Sequence, residues 1–245
     1  MQHEKLNDMR KELGLLLKYN PLLRSAVKEV NRKDMVRASL MARNPNADQV
    51  QFDAIMDGQL QVDLPVQDYV FIQNFLDVIR VAENCLQMGN YLDKFLLLSS
   101  YRILVDDEHA YFRKINPVVF AFNHVPTYSL DIEDKLDDCL RRVNRRDAGN
   151  DVILKAMYIH NKLIDIYPFA EYSAELAIFA MNYFLMYNGF MPINMPIEQV
   201  EYQTLVSNNL KGKKLEDFYR FLEKAVIDKM EGTLKACREY IDQEV

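Results

Sequence analysis

The sequence predicts an all-α protein, a multi-helix bundle around one buried central helix. Three observations carry this. The 245 residues include only 7 Gly and 8 Pro, too few for a turn-rich β architecture, while 49% are hydrophobic. Apolar residues recur at helical spacing between most chain breakers. The stretch from Leu176 to Met186 is apolar on every face, and a helix of that kind is buried on all sides. The central helix is therefore expected at about residues 174–188.

The elements follow in order. Leu6, Met9, Leu13, Leu16 and Leu17 mark a helix over 3–17, broken at Asn20-Pro21 because proline disfavours helix at the preceding residue. A second helix is predicted over 22–31, and a third from Lys33 that stops before Pro45. Asn46 and Asp48 open a short one that ends at Gly58. Pro65 starts the next element, with Val70, Phe71, Phe75, Val78, Ile79 and Ala82 on one face and Gly89 closing it. Another runs from Tyr91 to Leu104. Residues 118–122, Val-Val-Phe-Ala-Phe between Asn-Pro and Val-Pro, read as a short β-hairpin or extended flap near 115–125, or as an apolar loop lying on the core. Ser129 or Asp131 caps a helix through Val143, and Asp151 closes the turn that starts the next. The central helix ends at Gly189. A short helix at about 197–208 and a charged one at about 214–241 complete the chain. The last carries Leu215, Phe218, Leu222, Val226 and Met230 on one face, for docking on the body or on a second copy. This divides the chain into an N-terminal helical addition (1–31), a main helical domain (32–208) and a long C-terminal helix (209–245).

A net charge of −6 gives no general attraction to nucleic acid or to an anionic membrane. The local run Arg141-Arg142-Val143-Asn144-Arg145-Arg146 falls at a helix end, where cations complement the dipole. Cys85, Cys139 and Cys237 are odd in number and far apart, which predicts reduced thiols in a cytoplasmic compartment. No run approaches the roughly 20 apolar residues of a membrane span. The sequence holds no phosphate loop, nucleophile elbow or zinc-binding histidine spacing.

The order of elements resembles the Fic domain family over roughly residues 36–200. The resemblance rests on Glu108-His109-Ala110-Tyr111-Phe112-Arg113, the apolar segment 118–122, the Val125-Pro126 turn and Gly189-Phe190-x-Pro192. Its most specific part is the run A-x-x-x-H-x-x-L-x-x-I-Y-P-F from Ala156 to Phe169, which includes His160. The resemblance implies a protein that transfers AMP or another phosphate-containing group to hydroxyl side chains, with segment 118–122 as the flap that aligns a target peptide. The family signature is His-Pro-Phe-x-Asp/Glu-Gly-Asn-Gly-Arg-x-x-Arg. Here Tyr167 stands at the position of the base. Pro168 and Phe169 match, and Glu171 is the acid. Tyr172, Ser173 and Ala174 replace Gly-Asn-Gly, and Glu175 and Ile178 replace the arginines.

Tyrosine, with a pKa near 10, is a poor base at neutral pH. Tyr172 and Ala174 put side chains where glycines let amides approach phosphate. Glu175 repels phosphate where arginine would bind it. Glu171 alone is a weak candidate for holding a divalent cation, and both acids otherwise complement the helix dipole. The resemblance places Arg113, His160 and Arg43 as supporting residues. Arg43 occupies the place of an inhibitory glutamate, and an Arg43–Glu175 pair would swap the charges of the family's own contact.

The expected function is accordingly a Fic-like protein without AMP transfer, with no cofactor and no catalytic residue, that binds a protein partner or regulates one. Homodimerisation is a further expectation, and neither nucleic acid nor membrane is an expected partner. The alternative is an enzyme of the same superfamily with altered chemistry, which would use ATP and Mg to move a nucleotide- or phosphate-containing group to a protein hydroxyl.

Overall fold

A computed structural model of the chain describes residues 2–43, 49–56, 58–59, 65–145, 151–194 and 200–244. Among them are ten α-helices and no sheet. Helix α8 (Ser173–Tyr187) is the central element, and all but three of its fifteen residues are buried. Its few polar side chains are satisfied inside. Asn182 donates to the Ile193 carbonyl at 2.8 Å and accepts from the Ile193 amide at 2.8 Å, and the Tyr183 hydroxyl donates to the Asn90 carbonyl at 2.6 Å. A buried polar group without such partners would cost on the order of 1–3 kcal/mol.

Helix α7 (Val152–Ile166) packs along α8, with α4 (Val66–Gln87) and α5 (Lys94–Val105) also against it. Both α5 and α7 begin at aspartate caps. Asp93 accepts from the Leu96 amide at 2.7 Å and Asp151 from the Leu154 amide at 2.9 Å, which satisfies donors that a helix start leaves open. Helix α6 (Ile132–Asn144) starts differently. A 3₁₀ turn at Ser129–Asp131 leads into it, and neither Ser129 nor Asp131 caps it with its side chain.

Two expected helices at 22–31 and beyond Lys33 are one, α2 (Pro21–Arg43). No proline or glycine interrupts Asn31-Arg32-Lys33, so nothing local breaks the ladder. Arg32 of this stretch grips Glu83 of α4 at 2.7 and 2.5 Å. The chain therefore passes residues 31–32 in mid-helix. Helix α1 (Gln2–Tyr19) buries Leu6, Met9 and Leu13. The expected helix over 46–58 is described as α3 (Gln49–Met56), and α9 spans Val200–Leu210.

Helix α10 (Leu215–Glu244) docks on the body against α1, α2, α7 and α9. Phe218, Leu222, Val226 and Met230 are fully covered, and Leu234 and Cys237 extend the stripe. Lys5–Glu231 and Arg238–Glu12 pairs, each at 2.5 Å, border the α1 contact. Among the described residues no helix is long and apolar enough to cross a membrane.

The β-hairpin expected near 115–125 is not formed. One antiparallel bridge joins Val119 and His124, with amide to carbonyl distances of 2.9 and 3.2 Å, and a 3₁₀ turn at Phe120–Phe122 fills the space between them. Pro117 and Pro126 flank the bridge without amide donors, so the ladder has no room to grow. Phe122 turns inward to meet Tyr202 edge-on at 6.1 Å, which favours a tight loop over a flat ribbon.

Candidate functional site

The loop between α7 and α8 holds most of the residues singled out in the sequence. It is bounded by two tyrosines in left-handed backbone, Tyr167 at φ 48° and Tyr172 at φ 59°. Glycine or asparagine usually occupies such positions, because a side chain there is strained. Tyr167 ends α7, its amide donating to the Leu163 carbonyl at 2.8 Å. Tyr172 lays its ring over Phe71 at 5.8 Å. Burial raises the Tyr167 pKa above the usual phenol value, and the nearby Glu175 raises it further. Tyr167 thus stays a neutral phenol at physiological pH.

The Phe169 amide of the loop is occupied from within. The Ser173 hydroxyl accepts from the Phe169 amide at 2.8 Å and donates to the Phe169 carbonyl at 2.9 Å. Tyr101 of α5 stands at the next two positions. Burial raises its pKa, and the charge of Glu171 adds to this, while the Ala170 and Glu171 amides that face its hydroxyl oppose the rise. Phe169 is fully buried, stacked on Tyr101 at 4.3 Å and tilted against Phe112 at 5.8 Å. Glu171 projects to solvent, and Glu175 is half-buried in the first turn of α8. Two clefts of about 1280 and 550 Å³ lie elsewhere, and no residue from 167 to 175 lines either. No group of three metal-binding side chains occurs among the described residues.

Arg113 is only 4% exposed, and its guanidinium is spent on holding the loop. Its Nε donates to the Tyr167 carbonyl at 2.6 Å. One terminal nitrogen donates to the Ile115 carbonyl at 2.6 Å and to Asn116 at 3.1 Å. The other donates to the Ile166 carbonyl at 3.1 Å and to the Thr127 carbonyl. These are the last carbonyls of α7 and the base of the flap loop, where a cation suits the helix dipole. Burial lowers the Arg113 pKa.

His160 lies apart from the loop, fully buried between α7, α9 and α10. Its Nδ1 is 3.0 Å from the Asn161 oxygen and its Nε2 is 2.5 Å from the Tyr202 hydroxyl. The Asn161 oxygen can only accept, so Nδ1 carries the proton and Tyr202 donates to Nε2. Asn161 continues the chain, donating to Asn209 at 2.6 Å. Burial lowers the His160 pKa to about 4, against a small opposing effect of the Asn161 hydrogen bond. The native state therefore binds fewer protons than the unfolded chain below pH 6.5, so stability rises with pH there. The contribution of His160 is complete above about pH 6.5 and is lost as pH falls toward 4, by on the order of 3 kcal/mol. Urea midpoints at stepwise pH check this. The variant His160→Gln should flatten the slope in that window, and an unchanged slope would contradict the assignment.

Of the residues singled out in the sequence, the structure gathers Tyr167, Phe169, Glu171, Tyr172, Ser173, Glu175 and Arg113 at one end of α8 and places His160 in the core. Arg43 ends α2, and its side chain lies outside the described residues, as does the expected contact with Glu175. Tyr101 is the residue that sequence reasoning missed. It lies 66 positions before Tyr167, and no local pattern marks it.

No family sequence model and no curated protein sequence matches the chain. Solved structures do. Residues 134–508 of Fic-1 from C. elegans match with a TM-score of 0.76 at 18% identity, over 98% of this chain and 72% of that one. A Fic domain containing signaling protein from Bacteroides thetaiotaomicron matches with a TM-score of 0.81 at 15% identity, over 98% of both chains. IbpAFic2, solved covalently tethered to Cdc42, matches with a TM-score of 0.55 at 16% identity, over 80% of this chain and 63% of that one. At these identities the likeness is one of architecture, and by it this chain has the all-helical Fic fold.

Proposed function

We propose that this chain is a Fic-fold protein without AMP-transfer chemistry that acts as a protein-binding or regulatory module. The observation that supports this most directly is the filled mouth of α8. The Phe169 amide is held by Ser173, the next two amides face the Tyr101 hydroxyl, and Tyr172 packs on Phe71 where a phosphate would need bare backbone. Arg113 is fully engaged with carbonyls and has no donor left for a phosphate. This reading includes no nucleotide at the mouth and no metal.

A binding role is supported by the flap loop. Phe120 is 88% exposed, with Ile115, Val118, Val125 and Leu130 also exposed around it. Large apolar side chains exposed close together in sequence are candidates for an interaction site. One structural neighbour was solved tethered to a protein, Cdc42. A homodimer would need a surface other than the apolar stripe of α10, which is covered by the body. Free thiols at Cys85, Cys139 and Cys237 suit a reducing, cytoplasmic compartment.

Incubation of the full chain with labelled ATP and Mg or Mn, with and without candidate proteins, should give no labelled adduct by mass spectrometry. The variant Tyr167→His should also give none, because it restores a base but leaves the amides covered and Glu175 in place. An AMP adduct on either protein would sink the reading.

A further inference from the structure

The basic run at the end of α6 has a place in the fold that the helix dipole does not explain. The cleft of about 1280 Å³ lies against the C-terminal end of α8, roughly 20 Å along that helix from the altered mouth. Arg141 and Arg145 line it from α6 and its cap. Arg10 and Lys11 of α1, Lys94 of α5 and Lys155 of α7 line it from three other elements. Its acids are Asp93 and Asp137. Asp93 is used in capping α5, and Asp137 holds Lys94 at 3.0 Å together with Glu133 at 2.8 Å. Arg142 does not line this cleft; its guanidinium lies 5.0 Å over the Tyr158 ring. In a chain of net charge −6, five further cations line this concavity; Arg141 pairs with the exposed Asp138 at 2.9 Å, Lys11 lies 3.8 Å from Asp8, and Lys155 donates to the Arg145 carbonyl at 2.8 Å. A concave wall in which cations outnumber acids concentrates field and attracts counter-ions. Leu92, Leu140 and Phe184 line it with apolar surface, and Tyr91 and Tyr187 are exposed beside the cations.

We infer that this cleft binds a phosphate-bearing small molecule with an aromatic ring, of the nucleotide class. Arg141, Arg145 and Lys155 take the phosphates, for which guanidinium forks and ammonium donors suit. Tyr187 and Tyr91 offer faces for the ring. The volume admits a ligand of that size. The inference concerns a binding site and no transfer step, and it stands independently of the α8 mouth.

Calorimetry on the full chain tests it with inorganic triphosphate, ATP and adenosine as probes. Triphosphate and ATP should bind saturably, with ATP tighter and adenosine weakest, and both affinities should fall as salt rises. The double variant Arg145→Glu/Lys155→Glu should lose at least about tenfold in affinity for both, the scale of charge-assisted hydrogen bonds to phosphate. Circular dichroism would confirm its fold. Tyr187→Ala should weaken ATP and leave triphosphate unchanged. Absence of saturable binding, or binding that the charge reversal does not move, overturns the inference. Tighter binding of a single-stranded RNA than of triphosphate also overturns it, in favour of a nucleic-acid contact. ATP binding lost on Glu171→Gln or Tyr167→Ala and kept on charge reversal would place the nucleotide at the mouth, which would count against the proposed function as well.

Discussion

Replacing Arg113 with alanine is expected to destabilise the protein by about 3–5 kcal/mol, the range for removing one partner of a buried charged network. The physical reason is the set of acceptors left behind. The carbonyls of Ile115, Thr127, Ile166 and Tyr167 and the side-chain oxygen of Asn116 all receive the guanidinium, which is itself 4% exposed. Alanine leaves the four carbonyls without this donor in a largely buried site, while Asn116 keeps the Ser129 amide at 2.8 Å. The backbone amide of Arg113, which donates to the Pro168 carbonyl at 2.9 Å, would remain but would hold a looser loop. Arg113→Lys keeps the charge and loses the planar fork, so it should recover less than half of the loss. Urea unfolding of the three proteins measures this. A loss below about 1 kcal/mol for the alanine variant would mean that the loop is held by something else.

A loss of similar size, about 3–5 kcal/mol, is expected for Phe169→Ala, the usual range for deleting a buried phenyl ring. Phe169 is fully buried, with Tyr101 stacked at 4.3 Å and Phe112 at 5.8 Å, so truncation leaves a cavity between rigid rings. Phe169 is also one of the motif residues that this chain shares with the family signature. Its retention is explained by packing alone, which makes it compatible with lost chemistry. The neighbouring Glu171→Ala gives the contrast: that side chain is exposed, and its removal should change stability by no more than about 0.5 kcal/mol. Thermal melts of both variants would show the difference. Equal effects would argue against the packing account.

The two expectations define how the loop works in this protein. Its backbone is held by Arg113 from below and by Ser173 from within, and its aromatic residue anchors it to α5. Beside it, the segment 118–122 exposes Phe120.

Much of the helical architecture was legible in the residues. The all-apolar segment at 176–186 announced a buried helix, and α8 spans Ser173–Tyr187. Asp151 read as a start signal and caps α7 through the Leu154 amide. Of the stripe Leu215, Phe218, Leu222, Val226 and Met230 read as one docking face, the last four are fully covered and Leu215 is exposed. Besides the side-chain cap expected for α6, two local readings failed, for different reasons. Asn31-Arg32-Lys33 lacks strong helix formers at its first position, yet α2 runs through it because Arg32 and Glu83 tie it to α4. The Val-Val-Phe-Ala-Phe segment has strand-forming residues, yet Phe122 gains more from the Tyr202 contact than a two-residue ladder offers.

The site divides in the same way. From composition and spacing came the helical class and the central helix, and from the resemblance to the Fic family came the reading of Tyr167, Tyr172, Ala174, Glu175 and Ile178 as standing in place of base, glycines and arginines. These are properties of neighbouring residues, and helical periodicity and side-chain chemistry can be read over a few turns. The role of Arg113 as a carbonyl clamp, the Tyr101 hydroxyl at the Ala170 and Glu171 amides, and the gathering of Arg10, Lys11, Arg141, Arg145 and Lys155 around one cleft emerged only on folding. Each joins residues distant in sequence, and such contacts follow from how helices pack, a long-range outcome that no local pattern encodes.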